Sequence, residues 1–149
     1  MSITEQMHLD MIAAMKARDR EHAAALRMIL SELQKAAKEA RGDFGEEQEL
    51  RVLATEKKKR LQAAEAFRGG GRDESAAREE TEAAIIASYL PQAMGEAELA
   101  ALVDEAVTAV GATSVKDMGK VMSELMPRVA GRADGKALSE MVKNRLAGG

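Results

Sequence analysis

Few residues in this chain have the types and spacing that chemistry requires, and the best candidates are cations. His8 and His22 are the only histidines. They fall on different predicted helices and form no HExxH pair, so both are read as surface residues and not as metal ligands or bases. The acid pairs Glu46-Glu47 and Glu79-Glu80 are neighbours in sequence, and adjacent residues on a helix do not face each other, so they read as solvated faces. No serine or threonine has a His-Asp constellation nearby, and no phosphate-cradling glycine motif occurs; Gly69-Gly70-Gly71-Arg72 reads as a linker. The absence of cysteine removes disulfides, thiol nucleophiles and thiolate metal sites. No catalytic residue, metal or cofactor is expected.

The cations form two groups. Lys57-Lys58-Lys59-Arg60 covers a whole helical turn and so cannot make one stripe; it reads as a solvated face partly neutralised by Glu49 and Glu56, with RNA contact as the alternative. The stronger group lies in the tail. Residues 111 to 149 hold seven Lys or Arg against four acids, although the whole chain carries a net charge of −3. Lys116 and Lys120 share an outward helix face, as do Lys136 and Lys143, and Arg128 and Arg132 fall in the predicted connection between those helices. Basic faces joined by a basic loop suit a phosphate backbone. The helix start at Asp134 would add amide donors. A charged solvated surface is the plainer alternative.

The elements that must position these residues are helical. Ala, Glu, Lys, Leu, Met and Arg dominate, aromatics are 2%, and there are two prolines. Ser2 and Glu5 make a capping box for a first helix with Ile3, Met7, Met11 and Met15 inward. Asp19 caps a second helix, whose stripe is Leu26, Ile29, Leu30, Leu33 and Ala37. A third starts at Glu46 and is carried by Leu50, Leu53, Leu61, Ala64 and Phe67. A fourth starts at Asp73, with Ala77, Thr81, Ala84, Ile85 and Tyr89 as its face, and Leu90-Pro91 ends it.

Beyond Pro91 three shorter helices are expected. The fifth buries Leu99, Leu102, Val103, Ala106, Val107 and Val110, and Gly111 follows its end. The sixth, capped by Thr113 or Ser114, buries Val115, Met118, Val121, Met122, Leu125 and Met126, and Pro127 ends it. Gly119 inside it suggests close helix packing. After a turn at Gly131-Arg132-Ala133, the seventh buries Leu138, Met141, Val142 and Leu146, with Arg145 in its apolar arc expected to snorkel or pair. The expected fold is all-α, with N-terminal helical hairpins in residues 1-90 and a compact three-helix module in 91-149. The polar first residues resemble no signal peptide, and no apolar run approaches the ~20 residues that span a bilayer, so a soluble, cytoplasmic protein without membrane contact is expected.

Lys116-Asp117-Met118-Gly119-Lys120-Val121-Met122, followed by Gly131-Arg132-Ala133-Asp134-Gly135-Lys136, resembles the GatB/YqeY family. The tail is similar to that of the B subunit of glutamine-dependent tRNA amidotransferase, and the likeness extends over essentially the whole chain. Gly69-Gly70-Gly71 and Gly95 depart from the family pattern. The resemblance implies two helical subdomains and a tail that helps hold tRNA, with synthesis and ammonia handling in other domains. It places RNA contact at Lys116, Lys120, Arg128, Arg132 and Lys136. With few aromatics, recognition would go through backbone and shape. The expected function is a tRNA- or structured-RNA-binding accessory protein that is not an enzyme by itself. The alternatives are a protein-interaction module with a protein partner, and a component of a tRNA-dependent amidotransferase.

Overall fold

Helix caps legible in the sequence open the first two helices of the computed structural model, which describes residues 1–129 and 132–148. Ser2 Oγ accepts from Glu5 N at 3.1 Å and Ser2 N donates to Glu5 Oε2 at 2.9 Å, closing the capping box of α1 (Ile3–Lys16). Asp19 caps α2 (Arg20–Glu39) by accepting from His22 N. Then follow α3 (Glu46–Gly69), α4 (Asp73–Ala87), α5 (Glu96–Val110), a 3₁₀ turn (Val115–Asp117), α6 (Met118–Val129) and α7 (Gly135–Ala147). No strand occurs among the described residues, and the chain is all-α.

The chain divides into two compact units, Met1–Pro91 and Gln92–Gly149. In the first, α1 pairs with α2 and α3 with α4. Met7, Leu26, Ile29, Leu30, Leu33, Leu53 and Ile86 form its core. Small residues let the helices approach closely: Ala14, Ala23, Ala25, Ala64, Ala76 and Ala83 are all buried. In the second unit, Val103, Ala106, Val107, Val121, Leu125, Val129, Leu138, Val142 and Leu146 pack together, with methionines around them.

Several expectations change. The buried face of α4 is Ala76, Ala83 and Ile86, while Ala77, Thr81 and Ala84 are exposed; Ala stands on both sides of that step, so the bulk of Ile86 decides the rotation. Leu61, Met15 and Val115 are exposed instead of inward, as is Ala37. Pro127 does not end α6, which continues to Val129. The ring's φ suits a helix and the missing N–H falls in the last turn, where burying Val129 offsets the lost bond. Arg128 therefore stands on the helix and not in a loop. Ser114 caps the 3₁₀ turn, which feeds into α6 at Met118. Gly119 meets nothing within 4 Å where a Cβ would sit, so close packing does not explain it. Gly131, expected in the turn before α7, lies outside the described residues.

The α1–α2 connection holds Arg18 at φ 60, a left-handed conformation that costs a residue with a Cβ. Arg18→Gly is expected to raise stability by up to about 1 kcal/mol, because relief of that strain outweighs the added freedom of the unfolded chain. Urea denaturation followed by circular dichroism checks it.

Candidate nucleic-acid interface

Arginines and lysines of the second unit have different surroundings. Three arginines reach back to acids on α5. Arg128 binds Glu105 at 3.5 Å as well as Glu124 on its own helix at 2.6 Å. Arg132 donates from Nε to the Gln92 carbonyl at 2.8 Å and lies 3.4 Å from Glu98. Arg145, expected to snorkel or pair, donates to Asp104 at 2.7 Å. Glu98, Asp104 and Glu105 of α5, a helix that carries no Lys or Arg, are thus partners of these three arginines. A backbone bond from Met94 N to Arg132 O at 3.0 Å ties the same segments.

The lysines are placed otherwise. Lys116 stands on the 3₁₀ turn, Lys120 in the first turn of α6, and Lys136 in the first turn of α7. All three are exposed, as is Lys143. None makes an ion pair or side-chain hydrogen bond among the described residues. Lys116 and Lys120 follow one another on a continuous helical path, and the 3₁₀ turn packs against both α6 and α7. Between these two lysines, Asp117 turns its carboxylate to its own loop, accepting from Thr113 N at 3.0 Å. That hydrogen bond is the main reason its carboxyl titrates below the usual range, with Lys120 contributing. Its contribution to stability is thus present at neutral pH and lost as acid takes the carboxyl through its depressed folded-state value. Of the five candidate positions, then, three are exposed lysines, and two are arginines already engaged within the unit.

In the first unit, Glu49 and Arg60 are the unexpected residues. Arg60 belongs to the basic run read as solvated, yet it is buried. Its Nε donates to Glu82 Oε2 at 3.0 Å, and Nη1 lies 3.2 Å from Glu56 Oε1. Lys59 holds the other Glu56 oxygen at 3.2 Å. Glu49 is buried as well, accepting from Thr4 N at 2.7 Å and Thr4 Oγ1 at 2.5 Å. The only sequence signal was the helical spacing of Glu56 and Arg60. His8 is exposed and His22 half-buried, and no cluster of three metal-ligating side chains occurs among the described residues. No described helix is long and apolar enough to cross a membrane.

Tyr89, the sole tyrosine, donates its hydroxyl to Asp10 and fastens the end of α4 to α1. Burial, then the Asp10 carboxylate, push its phenol far above the ordinary value. A raised folded-state value means that this stabilisation is complete below the unfolded value of about 10 and is lost as the pH climbs past it. Phenolate absorbance is expected to appear only well above that pH in the folded chain, and at the ordinary pH in urea. Asp10→Asn should bring the folded titration down.

A family model described as Yqey-like protein matches residues 4–146. A curated relative, an uncharacterized protein of Schizosaccharomyces pombe, is 34% identical over 82 residues, which cover 55% of this chain and 67% of the relative.

Proposed function

The chain belongs to the YqeY-like protein family, and on that premise we propose that it is a non-catalytic accessory protein that binds structured RNA, tRNA above all, through the lysine face of its second unit. The family is related to the tail domain of the B subunit of tRNA amidotransferase. The observation that carries the reading is the division of labour among the tail cations. Arg128, Arg132 and Arg145 bind acids of their own unit, whereas Lys116, Lys120 and Lys136 are exposed and make no ion pair among the described residues. Lysine is a flexible point charge suited to a phosphate backbone, not to planar base recognition. Lys116, Lys120 and Lys136 take the phosphates. Arg128 and Arg132 hold α6 and the approach to α7 against α5, so that the lysine face keeps its shape.

Replacing Lys116, Lys120 and Lys136 together by Gln tests this. Each phosphate contact contributes roughly 0.7 to 0.9 to the slope of log affinity against log salt, so the slope for tRNA is expected to flatten by about 2 to 3. An unchanged slope rejects these residues as the contact.

A further inference from the structure

Three of the four Lys and Arg residues of α2 stand apart from its acids, and the fourth, Lys35, lies about 60° around the axis, between the two, within reach of Glu32 and Glu39. Arg20, Arg27 and Lys38 are spaced so that, at about 100° per residue, they fall within roughly 20° of one line along the helix. Ser31 falls on the same line. Glu21, Glu32 and Glu39 lie about 100 to 120° around the axis, and the buried Leu26, Ile29 and Leu33 occupy the far side. Arg20, Arg27 and Lys38 are exposed, and none has an ion-pair partner among the described residues. The residues one turn away from Arg27 are Ala23, Ala24, Leu30 and Ser31, and those from Lys38 are Gln34, Lys35, Arg41 and Gly42, so neither has a carboxylate at helical pairing distance. Arg20 also stands at the first residue of α2, the positive end of the helix dipole, where a cation is disfavoured. This line forgoes the intrahelical pairs that stabilise an ordinary solvated face, and a bound polyanion would supply the missing countercharge.

We propose that this line is a second RNA contact, separate from the lysine face of the tail, along which one phosphate backbone lies. At a rise of about 1.5 Å per residue it runs for about 27 Å, with its cations roughly 10 and 16 Å apart, so each meets a different phosphate. Ser31 can donate to a phosphate or share a 2′-hydroxyl. An anionic membrane would call for large apolar side chains beside the cations; Ala24, Ser31 and Gln34 stand within about 40° of the line, and the exposed Met28 lies about 80° around the axis. The choice of RNA as the polyanion rests on the proposed function; the residues lie in the other unit and can fail or succeed independently.

The test uses the full chain, purified tRNA and vesicles containing anionic lipid. Five proteins are compared: the native chain, Arg20→Gln/Arg27→Gln/Lys38→Gln, the triple-Gln tail variant, the two sets combined, and Arg20→Lys/Arg27→Lys. The α2 variant is expected to flatten the tRNA salt slope by about 2 to 3, and the combined variant by the sum of the two effects. The charge-keeping variant Arg20→Lys/Arg27→Lys should retain the native slope, separating charge from structure. A native slope in the α2 variant overturns the inference while leaving the tail reading intact. A native slope in the tail variant alone sinks the tail and leaves α2 standing. Loss of vesicle binding with tRNA binding unchanged also overturns it, in favour of a lipid surface.

Discussion

Replacing Arg60 by Met is expected to destabilise the Met1–Pro91 unit by about 3 kcal/mol, near the lower end for breaking a buried ion pair from one side. The substitution keeps most of the apolar stem but leaves Glu56 and Glu82 without their shared cation. Glu56 is 6% exposed, so it cannot recover its hydration in place. Two features limit the loss. Lys59 still reaches one Glu56 oxygen, and Glu82 keeps some access to water, with a side chain 25% exposed. Glu56→Leu combined with Arg60→Met should regain much of the stability, because the penalty lies in the orphaned charge and not in the absence of the pair. Chemical denaturation of the single and double variants provides the comparison. A single variant within a few tenths of a kcal/mol of the native chain would mean that the network is solvated.

Leu125→Ala is expected to remove about 2 to 5 kcal/mol from the second unit. Leu125 is fully buried among Val103, Ala106, Val121, Val129, Leu138 and Val142, with no exposed edge toward which the site could collapse. A unit of this size has only about 3 to 9 kcal/mol in total, so the variant should sit near its unfolding threshold at room temperature. Amide hydrogen exchange should then lose protection throughout α5, α6 and α7, while Leu33 and Leu53 keep the core of the first unit slow. Lys120→Gln, an exposed residue outside the core, should leave exchange in α6 unchanged.

The local and periodic parts of the fold were readable in the sequence. Ser2 with Glu5, Asp19, Gly111 and the branched stripes of α5 and α7 each act within a few residues, and each stands where expected. The errors came where one residue type filled neighbouring positions or where the deciding partner was distant. Adjacent alanines hid the rotation of α4. In a run of four cations nothing singled out Arg60 until Glu82, on another helix, was brought against it. The candidate interface behaved likewise. Composition marked the tail as basic, but Arg128, Arg132 and Arg145 find their α5 partners 23, 34 and 41 residues away. Only the folded unit separates the engaged arginines from the exposed lysines.

Affinity capture of the full chain from a lysate, with and without nuclease and followed by sequencing of the RNA, tests the central claim most directly. Backbone binding by the lysine face predicts enrichment of structured RNA, tRNA foremost, lost on nuclease treatment and weakened in the triple-Gln tail variant. A capture dominated by one protein that survives nuclease, with no RNA enriched, would contradict it.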